Sequence, residues 1–281
     1  EYNKQIAAKY NCQPIKTFYF SALEYMLKQY VKSQHTGLLA MVYPRPLKYK
    51  QYEKAFLNLN RRWRMHRPLL VLLLWYYKLL DKGFVSFGPA GDGDKDTWDY
   101  IWDGMKVNAL DSPKLQLIIH ESEAIKQLPP LYLDTNDLHI NRPEQSRSTD
   151  HYYENSYFSV VSETTFYHKD NIQNSRFLTE KTYKAISMKH PFVLASIPKS
   201  LEVLHKLGYK TFSPFINESY DQEMNDNKRM LMVVDEINRL SNLSQEQLQH
   251  YIDGVVPICE YNYELLKNRT QFIYNEDWNA L

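Results

Sequence analysis

Phe177-Leu178-Thr179-Glu180-Lys181-Thr182-Tyr183-Lys184-Ala185-Ile186, with Arg176 just before it and His190-Pro191-Phe192-Val193-Leu194-Ala195 after it, carries the most information in this chain. Thr179 has the chemistry of a helix N-cap, so the pattern predicts a helix over 179–188 and a buried strand over 191–195. A helix start presents free N–H groups and partial positive charge, which favour an anion. Arg176 and Lys181 add two cations there, enough to hold a diphosphate without a metal. Glu180 has the wrong charge for phosphate, but its two oxygens suit vicinal hydroxyls such as those of a ribose. The set reads as a nucleoside diphosphate site; the plain alternative is a capped helix with a solvated charged face.

C-terminal to this stretch, the expected order continues as a helix over 199–207, a strand over 209–212 and a helix from Met224 to Leu240. Ser244-Gln245-Glu246-Gln247 reads as a capping box shifted by one, opening a helix that ends near Leu266. N-terminal to it, 157–161 is a strand and 127–156 is a polar, proline-containing connection. Further back, Leu38–Tyr43, Ala55–Asn60, Phe84–Phe87 and Leu115–Ile119 read as strands. Helices are expected over Phe18–Val31 and Pro68–Leu80, with Pro68 in the first helical position. Strand–helix–strand at this spacing implies parallel sheet.

The basic turn Arg61-Arg62-Trp63-Arg64-Met65-His66-Arg67 follows a strand end, where open α/β sheets bind ligands. Arg61, Arg64, His66 and Arg67 are therefore candidates for an acceptor or anion patch, against a basic surface cap. Asp92, Asp94, Asp96 and Asp103 are spaced like a calcium loop, but the sixth position is Thr97 instead of glycine, so no metal is expected.

The segment Tyr157-Phe158-Ser159-Val160-Val161-Ser162-Glu163-Thr164, followed after a loop by Phe177-Leu178-Thr179-Glu180-Lys181, resembles the donor-site signature of fucosyltransferase-like glycosyltransferases. The chain is still more similar to glycosyltransferase-like proteins of large DNA viruses, phages and bacteria. That pattern continues through Leu204, Leu207-Gly208-Tyr209, Thr211-Phe212 and Glu218-Ser219-Tyr220-Asp221, and the match spans about residues 55–87 and 155–240. Fucosyltransferases proper carry asparagine where Thr164 stands, which leaves the donor sugar open. The resemblance implies a GT-B-like α/β architecture of two Rossmann-like halves facing a cleft: an acceptor-side domain over 1–150 and a donor domain over 151–281.

It also implies an enzyme: an inverting, metal-independent transfer of a fucose-like sugar, or a pentose such as xylose, from a GDP- or UDP-linked donor to a glycan. Viral capsid or surface glycan synthesis would be the setting. Glu163, Thr164, Arg176, Thr179, Glu180, Lys181 and Tyr220 would bind the donor, with Arg176 and Lys181 stabilising the leaving diphosphate. Glu121, Glu123 and Asp92 are candidate bases, with Asp94 and His120 behind them. The "DGD" at 92–94 is similar to the metal motif of another glycosyltransferase fold but lies in a loop. Two alternatives stand beside this: glycosylation of phage DNA bases, and a non-catalytic sugar-binding or structural protein on the same fold.

Composition narrows the field. The chain has 281 residues, 43% of them hydrophobic, with net charge +1. A near-neutral charge argues against the DNA-base reading, because duplex binding normally needs a basic face. Its 23 tyrosines suit a sugar cleft as well as a core. Cys12 and Cys259 are too few and too far apart for a disulfide framework, so a reducing compartment, the cytoplasm (of the host if viral), is expected. No stretch is long and apolar enough to span a bilayer. The chain starts at Glu1 instead of methionine, which is compatible with a preceding segment or anchor.

Overall fold

The computed structural model describes residues 9–10, 47–48, 50–60, 64–87, 97–128, 131, 133, 150–168 and 178–276. The expected strand at 38–43 and helix at 18–31 lie outside them. Among the described residues four strands are formed: β1 (Phe56–Asn60), β2 (Gly83–Phe87), β3 (Phe158–Ser162) and β4 (Phe192–Ala195). They make one all-parallel sheet in the order β2-β1-β3-β4. Two strands precede residue 150 and two follow it, so a single sheet joins both stretches of chain.

The helices are α1 (His66–Tyr76), α2 (Thr97–Asn108), α3 (Pro113–Glu121), α4 (Asp150–Glu154), α5 (Glu180–Ser187), α6 (Ser200–Lys206), α7 (Asp226–Leu240) and α8 (Gln245–Glu276). Short 3-10 turns at Leu80–Lys82, Glu123–Gln127 and Glu218–Gln222 complete the set. From β1 the chain crosses through α1 to β2 on one side, then returns past β1 to β3 and continues through α5 to β4. The strand order therefore reverses between β1 and β3, and a crevice at their C-terminal ends is the ligand position of such sheets.

α1 is the central helix. Every residue from His66 to Leu74 is buried, as expected for a helix that is apolar all round and enclosed by its neighbours. It begins two residues earlier than Pro68 suggests. Proline sits third in the helix, where its missing N–H is still one of the first-turn donors with no intrahelical partner. One large core joins α1, α7 and the sheet; a smaller cluster of Leu57, Phe84, Tyr153 and Met188 stands apart from it.

Three sequence expectations are corrected. Leu115–Ile119 is helical: Ser112 caps the start by accepting from the Leu115 N–H at 3.4 Å, Pro113 follows, and Leu115, Ile118 and Ile119 form the buried stripe. Residues 209–212 form no strand, because side chains take the ladder positions. Asn262 accepts from the Lys210 N–H and donates to the Lys210 carbonyl, both at 2.8 Å, and Glu218 accepts from the Phe212 N–H at 2.7 Å. The capping box at 244–247 is in normal register: the Ser244 N–H donates to the Gln247 side chain and the Gln247 N–H to the Ser244 hydroxyl. It opens a helix that runs on to Glu276.

Gly83 at the start of β2 lies against Phe56 of β1. An added Cβ would meet the Phe56 ring at 2.3 Å, and that ring is fully buried, with no room to retreat. Gly83→Ala is expected to destabilise the fold by about 1–3 kcal/mol, read as a lower urea midpoint at unchanged slope.

Candidate functional site

At the end of β3 the chain turns at Glu163, whose side chain is fully buried. One carboxylate oxygen accepts from the Thr179 N–H at 3.0 Å and the Thr182 hydroxyl at 2.6 Å. The other accepts from the Thr179 hydroxyl at 2.6 Å and the Thr164 N–H at 3.3 Å. The Glu163 N–H donates to the Ala195 carbonyl of β4 at 3.0 Å. Its own carbonyl accepts from His66 Nε2 at 2.9 Å and from Arg67 at 3.2 Å, while Arg67 also donates to the Ser162 carbonyl at 3.1 Å. The starts of α1 and α5 are thus both tied to one residue, α1 through its backbone and α5 through its side chain.

Thr179 is the N-cap that the sequence implies: its side chain accepts from the Lys181 N–H. Lys181 Nζ donates to the Thr179 hydroxyl at 3.1 Å and to Glu180 at 2.8 Å. Glu180 is exposed, and its carboxyl lies below the usual range: burial pushes it up, but the bond and ion pair with Lys181 outweigh that. Thr164 is half-buried, next in the chain to Glu163. A cation, a carboxylate and a helix start therefore stand together at the C-terminal edge of the sheet.

Arg67 sits within electrostatic reach of Glu163, Glu180 and exposed Arg64; burial first, then Arg64, pushes its guanidinium down from its ordinary value. Of the acceptor candidates, His66 and Arg67 are thus buried and bonded to backbone at the end of β3, and Arg64 is exposed. His66 is neutral. Burial, then the Arg67 charge, push its imidazole down to about 3, so Nε2 is the donor to the Glu163 carbonyl. Its ring stacks on Phe166 at 5.3 Å, and the guanidinium of Arg229 lies 4.4 Å from the centroid of that same Phe166 ring. Buried Arg229 also donates to the carbonyls of Phe166, Ser196 and Glu223 and to Asp226.

The other candidates fall elsewhere. Tyr220 is buried, its hydroxyl accepting from the Leu194 N–H of β4 at 3.1 Å, so it braces the strand. Asp221 caps α6 by accepting from the Leu201 N–H at 3.1 Å. Glu121 accepts from the Tyr76 hydroxyl at 2.8 Å, at the far end of α1. With a rise of about 1.5 Å per residue, that is roughly a helix length away from Glu163. Glu123 is exposed and pairs with Lys126 at 3.5 Å. Arg61, Asp92, Asp94 and Arg176 lie outside the described residues.

The sequence reading missed a polar ladder under the site. Asn58 donates to the Val160 carbonyl at 2.8 Å and to Ser162 at 3.2 Å; Asn60 donates to Asn58 at 2.5 Å, and its N–H to Ser86 at 3.0 Å. Two asparagines in a strand buried on both faces were the available signal, since such strands are ordinarily near-continuous apolar runs. Among the described residues no group of three or more His, Cys, Asp or Glu side chains is arranged to hold a metal ion, and no helix is long and apolar enough to cross a membrane. No family model, curated protein or solved structure matches the chain.

Two predictions follow from this geometry. Glu163→Ala leaves the Thr179 N–H and two threonine hydroxyls without their acceptor, and is expected to cost about 3 kcal/mol of stability in chemical denaturation. The second concerns pH. Burial holds His66 at about 3 and His190 at about 4, and pushes Asp221 up to about 6. Between pH 6 and 4.5 the unfolded chain holds nearly two histidine protons that the folded chain refuses, while the folded chain comes to hold one at Asp221 that the unfolded chain lacks. Stability from the histidines is complete above their unfolded value and is lost on acidification, and Asp221 opposes the loss. Asp221→Asn removes that opposition, so its stability should fall more steeply than wild type by about 1.4 kcal/mol per pH unit, measured by urea unfolding across this range.

Proposed function

We propose that the protein is a nucleotide-sugar-dependent glycosyltransferase that moves a fucose-like or pentose sugar from a GDP- or UDP-linked donor to a glycan. The observation that carries this reading is the start of α5, with Thr179, Glu180 and Lys181, standing at the β1–β3 switch point and anchored there by Glu163. Nucleotides bind open α/β sheets at this position, with phosphate at a helix N-terminus.

In this reading Lys181 and the α5 start take the diphosphate and Glu180 turns to the ribose hydroxyls. Glu163 and Thr179 fix the helix start without touching the sugar, and Thr164 lines the crevice. Arg176 would add a second cation. The acceptor oxygen attacks the anomeric carbon, the bond from that carbon to the phosphate oxygen breaks, and the acceptor proton passes to a base. The departing diphosphate carries the electron pair and is stabilised by the cations. Glu121 and Glu123 are poorly placed for the base; Asp92 is carried forward for that role. A two-halved GT-B form would need a second sheet from residues other than those described, because all four described strands share one sheet.

A thermal-shift panel of GDP, UDP, GDP-fucose and UDP-xylose tests this directly. One nucleotide series should raise the Tm with the logarithm of its concentration, equally with and without EDTA. Lys181→Ala should abolish that shift and donor turnover while leaving the ligand-free Tm within about 1 °C, as expected for a partly exposed side chain whose loss costs little stability. No shift with any nucleotide would favour a non-catalytic protein on this fold.

A further inference from the structure

The Thr179 hydroxyl has one proton and is met from two sides. It donates that proton to Glu163 Oε2 at 2.6 Å. Its oxygen then accepts from the Lys181 N–H at 3.4 Å and from Lys181 Nζ at 3.1 Å. A hydroxyl can turn its proton either way; here a fully buried carboxylate decides the direction. The Thr179 oxygen therefore shows only lone pairs to Lys181. Carboxylate, hydroxyl and ammonium form one directed chain from the end of β3 to the Lys181 side chain.

Lys181 has a second partner with a weaker hold. Glu180 accepts from Nζ at 2.8 Å, but the two side chains are 54% and 29% exposed, Glu180 the more so. Water and salt screen such a pair, which is worth little. Thr179 is buried, and its own N–H is tied to Glu163 at 3.0 Å. The Glu180 carboxylate can swing away from the ammonium; the Thr179 oxygen cannot.

We infer that Glu163, acting through the Thr179 hydroxyl, is the positioning residue for the Lys181 ammonium. The inference rests on the nucleotide-sugar reading only for what Lys181 does once placed. An ammonium has three N–H donors. When Glu180 turns to a ribose, one of them stays on Thr179 and two are presented to the leaving diphosphate. The buried carboxylate thus has a second task besides clasping the start of α5.

Glu163→Gln separates the two tasks. The amide nitrogen is favoured at the Oε2 position, where the fixed donor it meets is the Thr164 N–H at 3.3 Å, over the Oε1 position, where it would face the Thr179 N–H at 3.0 Å. At the Oε2 position it donates to the Thr179 oxygen and turns the hydroxyl proton toward Lys181. The shape is kept and the polarity of the chain is reversed.

Nuclear magnetic resonance of the lysine ammonium groups tests this in the ligand-free protein, with Lys181→Arg identifying the signal. Lys181 Nζ should be ordered in wild type and in Thr179→Ser. Thr182→Val, which removes a different donor from the same carboxylate, should match them. In Glu163→Gln the Nζ order parameter should fall from a rigid to a flexible value. Thr179→Ala against Thr179→Ser poses the same question without touching Glu163, and only the serine should hold the ammonium. An ammonium as ordered in Glu163→Gln or Thr179→Ala as in wild type would overturn the inference. So would an equal fall in Thr182→Val, which would mark a general loosening of the helix start. Turnover of GDP-fucose or UDP-xylose judges the reaction separately, and Glu163→Gln should lose about tenfold in kcat at unchanged acceptor KM. A freed ammonium with undiminished turnover would sink the assigned use of Lys181 and leave the positioning. No turnover by wild type would sink the nucleotide-sugar reading alone.

Discussion

The buried carboxylate of Glu163 is the constraint on which the rest of the candidate site depends. A carboxyl group without water is tolerated only when its oxygens are met by donors, and here four donors meet it, three of them from Thr179 and Thr182, sixteen and nineteen residues away in sequence. The same residue's backbone holds His66 and Arg67 from the other side of the sheet. Position in such a site therefore comes from one residue with two kinds of bond.

The cations then follow from packing. Arg229, buried, gathers carbonyls from three separate loops and lies on Phe166, whose other contact is the ring of His66. This stack of imidazole, benzene ring and guanidinium links α1 to α7 behind the crevice. It works only while the imidazole is uncharged, because a second positive charge would sit close to both Arg67 and Arg229. Burial supplies that condition.

Much of the frame could be read from the residues because local signals agreed with the packed structure. β1, β2, β3 and β4, the N-cap at Thr179 and the buried stripe of α7 all appear where pattern and capping chemistry put them. Failures came where distant side chains replaced local rules. Residues 115–119 alternate like a strand, but Ser112 and Pro113 start a helix first. Nothing near 209–212 announces that Asn262, more than fifty residues on, will take its backbone groups. Among the site residues, Thr179, Glu180 and Lys181 were readable from helix-start chemistry. The alliance of Arg67 with Glu163 was not, because it depends on which strands are neighbours. Nor did the sequence announce that the Tyr220 hydroxyl braces β4 from within, because that too depends on which elements are neighbours.

The side chains that brace β4 also limit how the sheet can grow. Among the described strands β4 is an outer one, and an outer strand ordinarily offers unpaired amides to any passing chain. Here the Leu194 amide is spent on the Tyr220 hydroxyl, and the segment that might have become a fifth strand has given its own groups to Asn262 and Glu218. The protein thus finishes its sheet with phenol, amide and carboxyl groups in place of backbone. At that border another copy of the chain would find a central amide of the strand already taken, a safeguard against strand-to-strand clumping that needs neither a proline nor a row of lysines.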